Sequence, residues 1–267
     1  MNLNLNHVAS LIRNIAANEI LPRFKKLQTT EKWEKRPGSI VTSADVAAEN
    51  ELARELPLLL PGSNVVGEEM IEETPSAIHL LDEAAPVWVL DAVDGTANFA
   101  KGSSDFGVMV ALVKKRRTIA GWVFRPIQDE MYIAESGAGA FLNEKRLEIK
   151  ASPRRLREMT GSLGGFLRNK TNVSSYFAGV TATRCIAVDY CALLKSNIHF
   201  AHYRGVRVWD HAAGYLLHVE AGGYCRCLDD TEYFAGKPGK GGILLASDRE
   251  AWEIISEPVY DAVSKVI

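Results

Sequence analysis

The sequence has few cysteines, little net charge and no long hydrophobic run. Four cysteines in 267 residues are too few for a disulfide scaffold, so we expect a cytoplasmic protein with reduced thiols. The 31 basic and 33 acidic residues leave a net charge of −2, so we expect neither nucleic acid nor membrane as a partner. No apolar stretch is long enough to cross a bilayer, and we expect no secretory signal at the first residues.

The first half of the chain predicts two helices followed by a run of strands. Apolar residues at helical spacing predict a first helix that ends near Pro22. A second helix follows Ser43 or Asp45, either of which suits an N-cap, and the turn-rich residues 35–39 before it predict a mobile loop. Basic residues 114–117 predict a solvated hairpin tip between two strands. The predicted strands are short apolar runs at residues 87–90, 106–113, 118–124 and 130–134.

The second half alternates strand-like and helix-like segments. Residues 191–203 are largely extended in character, and residues 209–223 predict a helix that ends at a pair of glycines. A strand at 242–247 precedes a final helix, for which Ser247 and Glu250 form a capping box. Mixed strands and helices without a regular βαβ rhythm predict an α+β sandwich of layers. The length suffices for one large domain or two closely packed subdomains.

The most informative segment is WVLDAVDGTANF, residues 88–99. A buried strand ends at Asp91, and Asp94 follows three residues later. Carboxylates held this close raise each other's pKa, a cost that a divalent cation removes, and hard oxygen ligands favour Mg²⁺ or Mn²⁺ over zinc. Gly95 lets the backbone approach a ligand and form an anion-binding nest, and Thr96 adds a hydroxyl. The alternative interpretation is an ordinary Asp-Gly turn.

Two other acidic segments become informative beside the first one. Glu68 and Glu69 follow Gly67 after a short apolar pair, and alone they would be a solvated acidic turn. Asp210 follows Trp209 at the start of a predicted helix, where an aspartate is usually an N-cap. Each of the three segments is informative only together with the others.

In order and spacing, these segments resemble those of the inositol monophosphatase family. The matching strings are VTSAD at 41–45, GEE at 67–69, WVLDAVDGTANF at 88–99 and WDHAAGYLLHVEAGG at 209–223. The resemblance implies a layered αβαβα fold in a single phosphatase domain over residues 1–267, usually as a homodimer. The N-terminal half, residues 1–150, would carry most of the metal ligands. The C-terminal half, residues 151–267, would carry the substrate residues and the last metal ligand.

The resemblance also implies hydrolysis of a phosphomonoester that depends on Mg²⁺ and is sensitive to Li⁺. Two or three ions would bind, with Mn²⁺ as an alternative metal. The implied metal ligands are Glu68, Asp91, the carbonyl of Val93, Asp94 and Asp210. Asp91 would bridge two ions and, with Glu68, would serve catalysis directly.

The remaining implied roles concern water and substrate. Asp45 and Thr96 would orient the attacking water, and the N–H groups of Gly95 and Thr96 would cradle the phosphate. Asp94 and Asp210 would also contact the substrate. Catalysis of this kind is mostly positioning and electrostatics, so no covalent nucleophile is required. The cysteines have no obvious histidine partner pattern, which argues against a cysteine-dependent phosphatase.

Several positions depart from the family pattern. Ala92 replaces an expected proline and loosens the backbone that presents the Val93 carbonyl. Arg184 and Cys185 stand where many members have Gly-Ser or Gly-Thr, and Tyr203 stands where many have a substrate-binding glutamate. Because arginine only donates hydrogen bonds, Arg184 in the pocket would favour a substrate with an extra anionic group; alternatively it points outward.

The substrate and one loop residue stay open at this point. The candidate substrates are inositol 1-phosphate or a related polyol or sugar phosphate, histidinol phosphate, a sugar bisphosphate and a nucleotide 3′-phosphate. A non-catalytic regulator that binds phosphate or metal is the rival from another class. The family places a lysine in the loop before VTSAD, and both Lys32 and Lys35 are candidates.

Overall fold

Helices and sheets alternate in five layers in the computed structural model, which describes residues 3–36, 38–237 and 239–265. The α-helices of the described residues are α1 (Leu5–Ile15), α2 (Ser43–Leu59), α3 (Glu68–Glu73), α4 (Thr96–Ala100), α5 (Gly165–Lys170), α6 (Ile186–Leu194), α7 (Val208–Glu220) and α8 (Arg249–Ser264). The first strands are β1 (Lys32–Arg36), β2 (Ser39–Thr42), β3 (Asn64–Gly67), β4 (Val87–Asp94), β5 (Gly107–Lys114), β6 (Arg117–Arg125) and β7 (Glu130–Glu135). The later strands are β8 (Gly139–Leu142), β9 (Lys145–Arg146), β10 (Thr160–Leu163), β11 (Gly179–Thr181), β12 (Phe200–Tyr203), β13 (Tyr224–Cys227) and β14 (Ile243–Ala246).

A seven-stranded sheet in the order β3-β4-β5-β6-β7-β8-β9 separates two hydrophobic cores. Side chains alternate along a strand, so β4 directs Trp88 and Leu90 to one face and Val87 and Val89 to the other. The first pair packs with α1 and α2, and the second pair lies in the core that includes α6 and α7. The sheet is therefore covered by helices on both faces.

A five-stranded sheet in the order β11-β10-β12-β14-β13 closes the other side of the α6–α7 layer. Its outer face packs against α8, where Phe200 and Leu244 meet Trp252 and Ile255 in a third core. The layers thus follow the order αβαβα, and the predicted α+β sandwich is confirmed. The division of the chain into halves near residue 150 stays a prediction. No helix in the described residues has the length and apolar character that crossing a membrane requires.

Strand topology brings the acidic segments to one edge of the larger sheet. β3 and β4 are parallel neighbours that pair Gly67 with Leu90, so the next residues, Glu68 and Asp91, lie side by side where β3 ends. α7 lies against this sheet and contacts β4, β5 and β6, with Asp210 in its first turn. Residues more than a hundred positions apart in sequence therefore meet at this edge.

The region before α2 differs from the prediction. β1 and β2 form an antiparallel hairpin that pairs Glu34 with Ile40, so the loop predicted over residues 35–39 is wrong for Lys35, Arg36 and Ser39. Pro37 lies outside the described residues. Gly38 has a φ of +82°, as the predicted turn requires, but the residues on either side of the turn pair as strands.

Helix starts were misplaced at two positions. α2 is capped by Thr42, whose hydroxyl accepts the N–H of Ala44 at 3.2 Å, and not by Ser43 or Asp45. Asp45 instead reaches back to the N–H of Thr42 at 2.9 Å, which completes a capping box. α8 is capped by Asp248, which accepts the N–H of Ala251 at 3.0 Å, because the hydroxyl of Ser247 is used by Ser152 and by Asp248 itself. The predicted capping box of Ser247 and Glu250 is therefore wrong.

Two other predictions are wrong for part of their range. Residues 191–194 belong to α6 and are not extended, because Ala187, Tyr190, Cys191 and Leu194 are buried at helical spacing. At the basic hairpin tip, Arg116 is only 8% exposed and its guanidinium donates to Asp82 at 2.5 Å. The neighbouring basic residues are exposed, as predicted.

Candidate active site

Three carboxylates from distant parts of the sequence converge at the sheet edge. Glu68 is the first residue of α3, Asp91 lies in β4, and Asp210 lies in the first turn of α7. One oxygen from each of the three lies within 4.8 Å of the others. Oxygen donors at this spacing, buried at Asp91 and half-buried at Glu68 and Asp210, fit a hard divalent cation such as Mg²⁺ or Mn²⁺.

Burial and mutual repulsion raise the pKa values of this carboxylate cluster. Burial is the largest cause that raises the pKa of Asp91 well above its usual value, followed by the charges of Glu68, Asp94 and Asp210. Burial likewise raises the pKa of Asp210 well above its usual value, with Asp94 and Glu68 adding to the effect. Placing a divalent cation among these oxygens would relieve the repulsion and favour the ionised carboxylates.

Two basic side chains flank the cluster on the side of Glu68. The Nζ of Lys35 lies 2.5 Å from Oε1 of Glu69 and 3.8 Å from Oε1 of Glu68. A guanidinium nitrogen of Arg207 lies 3.9 Å from the same oxygen of Glu68. Lys32 is exposed and has no carboxylate within 4.0 Å in the described residues. Of the two candidate lysines, the structure therefore brings Lys35 to the acidic segment.

A β-bulge redirects Asp94 relative to Asp91. β4 pairs Asp91 with Met109 and Asp94 with Gly107, so it contains one residue more than β5 over this interval. The Oδ2 atom of Asp94 accepts the N–H of Ala187 at 2.5 Å. Burial raises the pKa of Asp94 to about 6, and the hydrogen bond from Ala187 opposes this rise. Asp94 thus joins the start of α6 to the carboxylate cluster.

A hydrogen-bonded chain of Asp45, Thr96 and Val93 lies beside the cluster. The hydroxyl oxygen of Thr96 is 2.9 Å from Oδ1 of Asp45 and 3.0 Å from the carbonyl oxygen of Val93. The other oxygen of Asp45 accepts the hydroxyl of Thr42 at 2.5 Å. Burial raises the pKa of Asp45 to about 7, against the opposing hydrogen bonds from Thr42 and Thr96. A carboxylate whose pKa is raised to about 7 therefore lies next to a hydroxyl held between two acceptors.

Gly95 occupies a position that only glycine fits. Its φ is +84°, and a Cβ here would lie 2.9 Å from the carbonyl oxygen of Asp105. The Gly95 carbonyl accepts the N–H groups of Asn98 and Phe99, which begins α4. The N–H groups of Gly95 and Thr96 precede this first turn, so the helix itself provides them no acceptor and they suit an anion.

Of three further residues predicted to contact substrate, one is exposed and two are buried. Arg184 is exposed, has a φ of +59°, and has no carboxylate within 4.0 Å in the described ranges. Tyr203 is only 8% exposed, and its hydroxyl donates to Asp189 at 3.0 Å. Cys185 is buried, with its thiol directed at Asp94. The substrate roles of these three residues stay predictions.

Two carboxylates that support the site were missed in the sequence. Glu49 in α2 accepts the N–H groups of Glu69 at 3.1 Å and Met70 at 2.9 Å, which fixes the start of α3 next to Glu68. Asp189 accepts hydroxyl hydrogen bonds from Ser162, Thr183 and Tyr203. Glu49 follows Asp45 by four residues, so helical periodicity alone places both on one face of α2 and was an available signal.

Comparison with known proteins gives matches across the whole chain. The sequence model of the Inositol monophosphatase family matches residues 4–263. An inositol-1-monophosphatase of Mesorhizobium japonicum is 31% identical over 251 residues, which is 91% of this chain and 89% of that protein. The Nus factor SuhB of Haemophilus influenzae is 30% identical over 96% of each chain. Among solved structures, an IMPase of Thermotoga maritima shares the fold with a TM-score of 0.81 and 22% identity, covering 98% of this chain and 99% of that one.

Proposed function

Because the chain belongs to the inositol monophosphatase family, we propose that it hydrolyses a small phosphomonoester in a reaction that requires Mg²⁺. The observation that carries this proposal is the meeting of Glu68, Asp91 and Asp210 within 4.8 Å. Inositol 1-phosphate or a related polyol or sugar phosphate is the proposed substrate. The same site suits histidinol phosphate, a sugar bisphosphate or a nucleotide 3′-phosphate.

The acidic residues provide the metal site in this proposal. Glu68, Asp91, Asp94 and Asp210 give carboxylate oxygens, and Val93 gives its carbonyl oxygen. These residues would hold two or three ions, with Asp91 serving two of them and Mn²⁺ as an alternative to Mg²⁺. The bound cations supply positive charge that offsets the phosphate dianion and favours ionisation of water.

The remaining residues position the reactants. Thr96 and Asp45 hold the attacking water, and the Asp45 pKa of about 7 suits a group that accepts a proton near neutral pH. The N–H groups of Gly95 and Thr96 donate to phosphate oxygens, where preorganised donors stabilise the charge that develops in the transition state. We also propose a homodimer, as the family resemblance implies, and a cytoplasmic location, which is consistent with four buried cysteines that are all free.

A regulator that binds phosphate or metal without catalysis is the second candidate. It is favoured by the relative named Nus factor SuhB, which matches over 96% of this chain. Against it stands the hydrogen bond between Asp45 and Thr96 at 2.9 Å. A binding protein needs metal ligands but has no use for a pair that orients water.

Phosphate release from a panel of phosphomonoesters tests the proposed function. We expect release from at least one of the four substrate classes with Mg²⁺, none after a chelator, and partial recovery with Mn²⁺. Millimolar Li⁺ is expected to inhibit, since the family resemblance implies that it replaces a bound Mg²⁺. No release from any ester with either metal would contradict catalysis and favour the regulator. Hydrolysis that Li⁺ leaves unchanged would contradict only the predicted inhibition.

Arg184→Gly tests the predicted preference for a second anionic group. A charge-assisted contact to arginine contributes about 1.5–3 kcal/mol, so we expect kcat/KM for a doubly anionic ester to fall roughly ten- to hundredfold relative to inositol 1-phosphate. The substitution should not unfold the protein, because glycine adopts the φ of +59° at this position without strain. Arg184→Lys is the matched variant that keeps the charge. If the ratio is unchanged in Arg184→Gly, the arginine faces solvent and takes no part in specificity.

A further inference from the structure

We propose that Cys185 is a positioning residue, whose thiol holds the Asp94 carboxylate in the orientation that serves the metal site. This inference rests on the proposed function, because it assigns a purpose to the geometry of a proposed metal ligand. It also replaces the expected contact between Cys185 and substrate with a contact inside the protein.

The thiol of Cys185 lies close to two oxygen atoms of Asp94. Sγ of Cys185 lies 3.0 Å from Oδ2 of Asp94 and 3.5 Å from the Asp94 carbonyl oxygen, and the cysteine is 1% exposed. The N–H of Ala187 donates to the same Oδ2 at 2.5 Å. Two donors therefore converge on one carboxylate oxygen, while Oδ1 accepts no hydrogen bond from the described residues. A thiol is a weak donor, but a hydrogen bond to a carboxylate is strengthened by its charge.

The backbone of Cys185 is held on both sides, so the thiol has little freedom to move. Its N–H donates to the hydroxyl oxygen of Thr183 at 3.2 Å, and its carbonyl accepts that hydroxyl at 2.7 Å. The same carbonyl accepts the N–H of Asp189 at 3.2 Å, which starts α6. On the other side, a Cβ on Gly95 would lie 3.0 Å from Cβ of Cys185. The thiol is thus fixed against the residue that follows Asp94.

Removing the thiol should change the metal site more than it changes the fold. Without the sulfur, Oδ2 of Asp94 keeps one donor and gains empty space, so the carboxylate can rotate. Ordering it again on metal binding costs free energy, and losing a partner that orients a metal ligand typically lowers metal affinity 10- to 100-fold. A serine hydroxyl keeps a donor at the same position, so Cys185→Ser should retain most of the affinity.

Mn²⁺ titration followed by electron paramagnetic resonance measures this effect without reference to activity. We expect Cys185→Ala to bind Mn²⁺ about 10- to 100-fold more weakly than wild type, and Cys185→Ser to stay close to wild type. Cys191→Ala is the matched control, because Cys191 is also 1% exposed and lies in α6 but does not contact Asp94. In assays, Cys185→Ala should need more Mg²⁺ for half-maximal rate and recover kcat when Mg²⁺ is saturating.

Three other outcomes would overturn the inference, and the measurements distinguish them from one another. Wild-type Mn²⁺ affinity in Cys185→Ala would show that the sulfur only fills space. Equal weakening in Cys185→Ala, Cys185→Ser and Cys191→Ala would attribute the effect to general loss of packing, which a parallel fall in Tm would accompany. A wild-type protein that binds no Mn²⁺ would contradict the proposed metal site itself, and the role of Cys185 with it.

Discussion

Asp91→Asn is expected to lower kcat/KM at least about a thousandfold, which corresponds to roughly 4 kcal/mol of transition-state stabilisation. Asparagine keeps the shape of the side chain but removes a negative charge that the proposal places between two cations. Asp210→Asn removes a ligand of one cation only, so a smaller loss of about ten- to hundredfold is expected. Equal and mild losses in both variants would argue against a bridging role for Asp91.

The same substitution should stabilise the metal-free protein. Because burial and three neighbouring carboxylates raise the pKa of Asp91, the unfolded chain releases this proton at lower pH than the folded protein does. Between the unfolded value of about 3.9 and the raised folded value, stability therefore falls as pH rises. Asparagine does not carry this titrating proton. Without metal, the Tm of Asp91→Asn should therefore exceed that of wild type by an amount that grows from about pH 4 to about pH 7.

Thermal unfolding with and without Mg²⁺ measures both the expected gain in stability of the metal-free variant and its expected loss of metal binding. Mg²⁺ should raise the Tm of wild type and should have a much smaller effect on Asp91→Asn, because ligands that bind only the folded state stabilise it. Asp261→Asn, at an exposed position in α8, is the control for loss of an aspartate and should change neither Tm nor rate appreciably. If Asp91→Asn were less stable than wild type without metal, repulsion would not dominate the cluster.

Without the family resemblance, the sequence predicts only the part of the site whose residues are close together in the chain. Asp91, Asp94, Gly95 and Thr96 lie within one strand end and the turn after it, so their proximity follows from chain connectivity. Asp210 is different, because its place beside Asp91 depends on how α7 packs across the sheet. Only the family resemblance identified it, and the structure then brought its carboxylate within 4.8 Å of the others.

The parts that could not be predicted depend on register and on long-range contacts. Lys35 and Lys32 are indistinguishable in sequence, and only the pairing of β1 with β2 directs Lys35 to Glu69. The role of Cys185 needs α6, which the sequence did not predict because the run predicted to be extended, residues 191–203, begins inside this helix. The hydrogen bond from the Tyr203 hydroxyl to the buried acceptor Asp189 could not be predicted either, and the contact of Tyr203 with substrate stays a prediction.

Thr96→Ala is expected to lower kcat about a hundredfold near pH 7, because a hydroxyl that orients the attacking water is lost. Thr96→Ser keeps this hydroxyl and should lose much less activity. The alanine variant also removes a hydrogen bond to Asp45 at 2.9 Å, one of the contacts that hold the Asp45 pKa down against burial. The pKa of Asp45 should therefore rise above about 7 in Thr96→Ala.

This second effect separates a chemical role for Thr96 from a structural one. A higher pKa leaves more of Asp45 protonated at neutral pH, so the acidic limb of the kcat/KM profile should move to higher pH in Thr96→Ala. The loss relative to wild type should then be largest below pH 7 and smaller in alkaline solution, whereas misfolding would lower the rate equally at every pH. The profile of Thr96→Ser should overlay that of wild type. A uniform loss across the pH range in Thr96→Ala, with a normal Tm, would mean that Asp45 does not accept the proton of the attacking water.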